Sequence, residues 1–303
     1  MEQDVGLIGF GEAGSTFAMA GKWGLRAHVF DSKTNNVAEH EVMLERYQLA
    51  SVRGAQRLDD ALAGVKLILS LVTADQALAV AEAASKCLPA RSIYCDMNSV
   101  APQTKRAAAR MFEAVGSHYV DIAVMAPVNP ACLAVPLLLS GARASEAQAQ
   151  LSALGFANMR VVGDEIGRAS SIKMIRSVMV KGIEALTVEC VLAAEAAGVR
   201  AEVLASLDDS EKARPWDERA DYNLDRMLVH GLRRAAEMEE VVKTLEDLGT
   251  GAVMTRGTVE RQRVIGRLGL KAPPEGVQAK IARILASNGA EYGTAKSFGE
   301  TRA

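Results

Sequence analysis

The stretch "VGLIGFGEAGSTFAMAGKWG", residues 5–24, decides the fold. It places Gly9, Gly11 and Gly14 after a short apolar run and before residues 17–23, which predict a helix. A G-x-G-x-x-G spacing by itself is weak evidence, because glycine-rich turns are common. Between a buried strand and a helix, however, such glycines allow a tight turn and let a pyrophosphate approach the backbone. This position therefore predicts a dinucleotide-binding turn.

Apolar runs and helical segments alternate through the first half of the chain. The runs that predict strands cover residues 5–10, 26–31, 65–72, 91–97, 118–124 and 136–141. Such alternation indicates an α/β fold with a doubly wound parallel sheet. We therefore predict an N-terminal NAD(P)-binding Rossmann domain over residues 1–164.

The strand patterns stop after residue 164. Residues 170–197 repeat apolar side chains at three- and four-residue steps, as a long helix does, and Gly198 is a natural stop. Further helices are predicted at residues 201–207, 218–248, 257–268 and 276–287. The sequence thus predicts an all-helical C-terminal domain for substrate binding and dimerisation over residues 165–303, which begins with a long interdomain helix.

The composition narrows the class of protein. The chain has 303 residues and a net charge of −2, which favours neither nucleic acid nor an anionic membrane as a partner. The four cysteines are scattered without a metal-type spacing, so we expect reduced thiols, no metal site and a cytoplasmic location. No apolar run approaches the roughly 18 residues that a membrane span needs.

Asp31 ends the second predicted strand. A carboxylate at this place would accept hydrogen bonds from the adenosine ribose and repel a 2′-phosphate, so we expect NAD to be preferred over NADP. Ser32 and Lys33 favour the opposite preference, because a hydroxyl and an ammonium together can accept that phosphate. An ordinary turn residue is the alternative interpretation of Asp31.

Three blocks carry a resemblance to a known family. They are "GFGEAG" at residues 9–14, "DMNSVAP" at residues 96–102 and "GDEIGRASSIKMIRS" at residues 163–177. In this order and at these separations they resemble the β-hydroxyacid dehydrogenases, which include 6-phosphogluconate and 3-hydroxyisobutyrate dehydrogenases. Nearly the whole chain is similar to an uncharacterised phosphogluconate-dehydrogenase-like branch of that family.

The resemblance implies roles for individual residues. It assigns Lys173 the part of general acid and base, whereas Lys173, Arg176 and Ser177 on one helix face are otherwise typical of a solvated basic surface. The residues expected to contact the cofactor are Gly9, Phe10, Gly11, Glu12, Ala13, Gly14, Asp31, Ser32, Lys33, Leu71, Val72, Thr73 and Asn98. Asn98 and Ser99 are also expected to contact substrate, and the long helix implies a homodimer.

The sequence departs from the family at the substrate side. Asn98 stands where the family usually has serine, and Ser177 replaces the asparagine four residues after the lysine. After Val124, the family's S-G-G loop is replaced by Met125-Ala126-Pro127. Methionine offers no hydroxyl and proline no amide hydrogen, so the usual cradle for a small carboxylate is damaged.

A second cationic group lies in the helical half. Arg226, His230 and Arg233 follow one another at helical steps, and arginines with a histidine can bind a carboxylate or phosphate. Ion pairs with nearby glutamates are the alternative. Trp216 is expected either to line the substrate pocket or to fill the core. Besides Asn98 and Ser99, the candidate substrate contacts are Val124, Met125, Ala126, Arg176, Ser177, Trp216, His230 and Arg233.

The combined prediction is an NAD(P)-dependent dehydrogenase or reductase that acts on CH–OH. It would transfer a hydride between nicotinamide and a hydroxy acid or related alcohol that carries a bulky or apolar portion and one acidic group. The alternatives are an imine reductase on the same scaffold and a cofactor-binding sensor without turnover. Lys173 favours alcohol chemistry, and the altered substrate loop is what motivates the sensor.

Overall fold

The apolar runs of the first half form one eight-stranded sheet. The structure is a computed structural model that describes residues 4–210 and 214–288. The strands are β1 (Val5–Ile8), β2 (Ala27–Phe30), β3 (Arg53–Gly54), β4 (Leu67–Ser70), β5 (Ile93–Asp96), β6 (His118–Val124), β7 (Leu137–Ser140) and β8 (Met159–Gly163). Their order in the sheet is β3-β2-β1-β4-β5-β6-β7-β8. The predicted α/β class is therefore confirmed.

The sheet is parallel except at one pair, where β7 runs antiparallel to β6. The predicted parallel sheet therefore contains one antiparallel pair, which the sequence analysis did not predict. Residues 125–136, which join the two strands, contain only the 3-10 turn Cys132–Ala134. Parallel neighbours need a crossover, usually a helix, that carries the chain back to the starting edge. This connection has none, and the chain returns alongside β6.

Two strands escaped the sequence analysis. β3 has only two residues, and β8 lies at the sheet edge with half-exposed side chains. Both therefore lack the continuous apolar run that marks a strand buried on two faces.

Six helices lie between the strands in chain order, and a seventh follows the last strand. They are α1 (Glu12–Ala20), α2 (His40–Leu49), α3 (Leu58–Leu62), α4 (Ala77–Ser85), α5 (Pro102–Glu113), α6 (Ala144–Ala153) and α7 (Arg168–Ala196). α1 begins five residues before its predicted start, because Gly14 is part of the helix and packs against the turn rather than extending it.

Side chains alternate between the two faces of the central strands. Leu7 and Leu69 belong to one apolar cluster, whereas Ile8 and Ile68 belong to the other. A sheet buried on both faces explains why its strands read as continuous apolar runs.

The second half contains only helices among the described residues, as predicted. After α7 these are α8 (Arg200–Ser210), α9 (Trp216–Asp247), α10 (Val253–Gly266) and α11 (Val277–Asn288). α9 and α10 approach closely at Gly231 and Gly266, where a Cβ would lie 2.4–2.5 Å from backbone atoms of the other helix. No described helix is long and apolar enough to cross a membrane.

The chain divides into two compact units, one up to Met179 and one from Val180, so that α7 contributes to both. A division at residue 164 stays a prediction.

Candidate active site

The glycine turn joins β1 to α1 and requires glycine at two positions. Gly9 has a φ of +92°, and a Cβ there would lie 2.4 Å from the carbonyl oxygen of Leu71. A Cβ at Gly14 would lie 2.4 Å from the carbonyl oxygen of Gly9. Neither backbone atom can move aside cheaply. At Gly11, by contrast, a Cβ would meet no atom within 4 Å, so the turn is open at its middle glycine.

This turn fits the phosphates of a dinucleotide. Gly11 is the N-cap residue of α1, and no described side chain caps that helix end. The backbone N–H groups of the first turn therefore need an acceptor from solvent or a ligand, and the helix dipole favours an anion. Phe10 is buried under the turn, and Glu12 accepts a 3.1 Å hydrogen bond from Asn129.

Asp31 lies directly after β2, beside this turn. Its Oδ2 accepts a 2.7 Å hydrogen bond from the backbone N–H of Phe10, and its Oδ1 accepts one of 3.0 Å from that of Lys33. The carboxylate thus ties the glycine turn to the end of β2, while each oxygen keeps a lone pair for a ribose hydroxyl. Ser32 and Lys33 begin the 3-10 turn that follows. Lys33 donates to Glu39 at 2.6 Å, and this hydrogen bond raises the pKa of Lys33.

A cavity of about 500 Å³ opens beside the glycine turn, within the first unit. Ten of the residues predicted for the site line it: Glu12, Ala13, Leu71, Val72, Thr73, Asn98, Ser99, Val124, Ala126 and Lys173. Ala74, Met97, Pro127 and Val128 complete the lining. The structure therefore brings residues expected to contact the cofactor and the lysine expected to move a proton into one cavity.

The side chain of Asn98 forms hydrogen bonds within the protein. Its Oδ1 accepts a 2.7 Å hydrogen bond from the backbone N–H of Val72, and its Nδ2 donates to the Ser70 hydroxyl at 3.0 Å. Its backbone N–H donates to Asp96 at 2.9 Å. Asn98 thus joins the ends of β4 and β5 on the floor of the cavity, a task that a serine side chain is too short to perform in the same way.

Lys173 lies in the second turn of α7 and reaches Ser99. Its Nζ donates a 2.6 Å hydrogen bond to the Ser99 hydroxyl oxygen. Because that oxygen accepts from the ammonium, the hydroxyl proton of Ser99 can be donated to a third group. The pair is thus arranged to pass a proton between the lysine and an oxygen bound in the cavity.

Arg176 and Ser177 lie one turn after the lysine but contact the protein differently. The Arg176 guanidinium is exposed and donates a 3.4 Å hydrogen bond to the carbonyl oxygen of Met125. Ser177 donates its hydroxyl proton to the backbone oxygen of Lys173. The Met125 side chain does not line the cavity but packs in an apolar cluster with Ala169.

The candidates on α9 lie in the second unit. Trp216 begins the helix, is 56% exposed and contacts the guanidinium of Arg219. Arg233 is exposed and forms an ion pair of 2.8 Å with Glu237, as the alternative interpretation expected. His230 is half-buried on the same helix. Their contact with substrate stays a prediction.

The sequence analysis missed a buried ion cluster below the cavity. Lys105 has no exposed surface and lies between the carboxylates of Asp96 and Asp121. A signal was present in the sequence, because Lys105 shares a helical face with Ala108 and Phe112. A charge on the apolar face of a helix indicates a buried partner of opposite charge. Residues 4–210 and 214–288 hold no cluster of His, Cys, Asp and Glu that fits a metal ion.

Comparisons with known proteins show the family to which the chain belongs. Residues 4–160 match the family described as the NAD binding domain of 6-phosphogluconate dehydrogenase, and residues 194–265 match a domain of unknown function, DUF1932. A conserved hypothetical protein from Sinorhizobium meliloti is 34% identical over 94% of this chain and 97% of its own, with a TM-score of 0.59.

Two further structures extend the likeness. A conserved protein of unknown function, described as structurally similar to 3-hydroxyacid dehydrogenases, is 30% identical over 87% of this chain and 97% of its own (TM-score 0.55). The imine reductase of Myxococcus stipitatus, in complex with NADP⁺, is 19% identical over 93% of this chain and 99% of its own (TM-score 0.68), which shows a shared fold. The first match covers more than half of the chain, which therefore belongs to the family that carries the NAD-binding domain of 6-phosphogluconate dehydrogenase and has the fold of NAD(P)-dependent oxidoreductases.

Proposed function

We propose that this protein is an NAD(P)-dependent oxidoreductase that acts on the CH–OH group of a hydroxy acid or related alcohol. The observation that carries the proposal is the 2.6 Å hydrogen bond between Lys173 and Ser99, on the wall of the cavity that adjoins the glycine turn. A bound nicotinamide supplies the hydride chemistry, and the glycine turn with Asp31 would hold its dinucleotide.

Lys173 and Ser99 would handle the proton of the alcohol. As an alcohol carbon is oxidised, its hydroxyl proton must leave, and the Ser99 oxygen can accept it while Lys173, in its neutral amine form, accepts the serine proton and becomes the ammonium. In the reverse direction the ammonium returns the proton by the same route. Such general acid–base catalysis contributes typically 10²–10⁴-fold to a rate. The lysine is the reason to favour an alcohol over an imine as substrate.

The cavity wall supports a substrate with an apolar portion and one acidic group. Val124, Ala126 and Pro127 line it with aliphatic side chains, and Pro127 offers no N–H to a carboxylate. Arg176 adds a cation near this wall through its contact with Met125. We therefore propose that 3-hydroxyisobutyrate, glycerate and other compact hydroxy acids are poor substrates.

A substrate panel tests the proposal. Compact hydroxy acids, aryl- and alkyl-substituted hydroxy acids, simple alcohols and cyclic imines are each incubated with NAD(P)⁺ or NAD(P)H, and nicotinamide absorbance is followed. We expect the substituted hydroxy acids to react fastest. Faster reduction of imines would favour the reductase alternative, and a complete blank despite tight cofactor binding would favour the sensor.

We also propose a homodimer. The helix α7 exposes an apolar stripe, in which Ile175 and Val178 are each 71% exposed and Leu192 is 52% exposed. Exposed apolar side chains in a row are typical of an interface with another chain. Sedimentation of the purified protein tests this, and a monomer at micromolar concentration would contradict it.

A further inference from the structure

Lys105 is the centre of a buried cluster of charges. Its Nζ donates to Asp96 twice, to Oδ1 at 2.9 Å and to the backbone oxygen at 2.7 Å. On the other side Asp121 Oδ1 lies 3.4 Å away. Lys105 and Asp121 have no exposed side-chain surface, and Asp96 is 2% exposed. One ammonium on α5 therefore joins the last residue of β5 to the middle of its neighbour β6.

The Asp96 branch of the cluster leads to Ser99. Oδ1 of Asp96, which accepts from Lys105, also accepts a 2.9 Å hydrogen bond from the backbone N–H of Asn98. This bond fixes the chain as it leaves β5, one residue before Ser99. Tyr119 donates to the other oxygen of Asp96 at 2.5 Å. Burial and the Asp96 charge raise the pKa of Tyr119 well above its usual range, so this hydroxyl remains a proton donor.

The Asp121 branch leads to Lys173. Oδ2 of Asp121 accepts hydrogen bonds from the backbone N–H groups of Gly167 (3.1 Å) and Ser170 (3.0 Å) and from the Ser170 hydroxyl (3.0 Å). Asp121 therefore caps the first turn of α7, where a carboxylate also meets the positive end of the helix dipole. Ser170 lies three residues before Lys173, so this cap fixes the turn that carries the lysine.

We propose that Lys105, Asp96 and Asp121 are positioning residues that hold Ser99 and Lys173 at hydrogen-bonding distance. The inference rests on the proposed function for the importance of that pair. The physical reason is rigidity: if β5 or β6 moved relative to α5, a buried charge would lose its partner, which is strongly unfavourable in a low-dielectric interior. An apolar cluster in the same place would hold α5 against β5 and β6, but it would allow these elements to slide past one another.

The matched control is a second buried lysine. In the second unit, Lys280 is 6% exposed and donates to Asp221 at 2.9 Å, with Asp225 at 3.3 Å. Lys280→Met also removes a buried ammonium that lies between two carboxylates, although Asp221 and Asp225 are 36% and 47% exposed, whereas Asp96 and Asp121 are buried. A general effect of losing a lysine–aspartate pair should appear in both variants, whereas loss of positioning should appear only in Lys105→Met.

The readout is the reactivity of Lys173, which needs neither substrate nor cofactor. The full-length variants are acylated briefly with an N-hydroxysuccinimide ester, and mass spectrometry measures the rate at Lys173 relative to Lys86. Ser99→Ala calibrates the assay, because it removes the hydrogen-bond acceptor directly. Amide hydrogen exchange is measured in parallel over residues 96–104 and 164–177.

We expect Lys105→Met to raise the relative rate at Lys173 by roughly tenfold, as Ser99→Ala does, since a hydrogen bond to a charged group shifts an equilibrium by about this factor. Exchange should accelerate in both segments. Lys280→Met should leave the relative rate at Lys173 within about twofold of wild type. If Lys105→Met does not fold, Ser170→Ala, which removes one donor to Asp121, answers the same question.

Unchanged reactivity of Lys173 and unchanged exchange in a folded Lys105→Met, or in Ser170→Ala as its substitute, would overturn the proposal. An equal change in Lys280→Met would also overturn it. The proposed function fails separately: if the substrate panel is blank while Lys105→Met still raises the reactivity of Lys173, the positioning role stands and the assignment of an alcohol substrate falls.

Discussion

The candidate active site has two sides that are built from different parts of the chain. The turn side, formed by residues 9–14 with Leu71, is made of backbone, and its shape depends on side chains that are absent at Gly9 and Gly14. The lysine side is made of side chains, with Asn98, Ser99 and Lys173 joined to their surroundings by hydrogen bonds.

The two sides should therefore respond differently to substitution. Adding one methyl group at Gly9 or Gly14 changes the backbone path and with it the stability of the sheet. Removing a side chain from the lysine side leaves the backbone in place and removes chemistry. The comparison yields four predictions, ordered from the largest expected effect to the smallest.

The largest effect is expected on the lysine side. Lys173→Ala should lower turnover of the true substrate by roughly 10²–10⁴-fold, because it removes the group that exchanges the proton. Cofactor affinity should change little, since the glycine turn and Asp31 would hold the dinucleotide and Lys173 donates to Ser99. Steady-state rates together with fluorescence titration of NADH or NADPH measure the two effects separately.

Lys181→Ala is the control for this prediction, because Lys181 is exposed on the same helix. It should behave as wild type. Activity of Lys173→Ala within a few-fold of wild type would remove the lysine from the mechanism.

On the turn side, Gly9→Ala should destabilise the fold by about 2–4 kcal/mol, from backbone strain and a clash with Leu71. The new Cβ would lie 2.4 Å from a carbonyl oxygen and would require a positive φ. Gly11→Ala is the matched variant: its Cβ meets no protein atom, so stability should stay within about 0.5 kcal/mol while the cofactor binds more weakly. Chemical denaturation and cofactor titration measure both. Equal stability of the two variants would contradict the description of the turn.

The turn side was predictable from the sequence, and so was most of the fold. The turn requires glycine at fixed positions between a strand and a helix because of its backbone geometry. Such a spacing can be recognised in a single sequence. Central strands such as β4 are buried on both faces and read as apolar runs. The edge strand β8 is buried on neither, and its pattern was too weak to predict.

The lysine side was predictable only through a resemblance. Lys173 and Ser99 are separated by 74 positions, and no local pattern reports that they meet. Lys105 lay on a predicted helical face, but its partners Asp96 and Asp121 belong to two other elements. Contacts between distant side chains depend on strand order, which a single sequence does not contain.

Arg176 tests how far the lysine side extends. Arg176→Ala should lower kcat/KM for an acidic substrate by about ten- to a hundredfold, because a hydrogen bond to a charged group contributes about 1.5–3 kcal/mol. An uncharged analogue of the same substrate should lose little. Arg233→Ala, compared on the same pair of substrates, tests the second cationic group, whose arginine pairs with Glu237. If acid and analogue respond equally in both variants, neither arginine binds the acidic group.

Asp31 belongs to both sides, because a side chain there holds the backbone of the turn. We expect wild type to bind NADH about tenfold more tightly than NADPH, since the carboxylates of Asp31 and Glu39, which both bond to Lys33, would repel a 2′-phosphate. Lys33 counteracts this repulsion only weakly while it pairs with Glu39.

Glu39→Gln should therefore narrow the preference for NADH over NADPH, because it frees the ammonium of Lys33 from its ion pair. The hydrogen bonds that Asp31 accepts from the turn should remain. Asp31→Asn should also narrow the preference for NADH and weaken the binding of both cofactors, because the amide NH2 would replace one of the two oxygens that accept from the N–H groups of Phe10 and Lys33. Fluorescence titration of both cofactors with the three proteins decides the matter. Tighter binding of NADPH by wild type would reverse the assignment of Asp31, whereas an unchanged ratio in Glu39→Gln would restrict the repulsion to Asp31 alone.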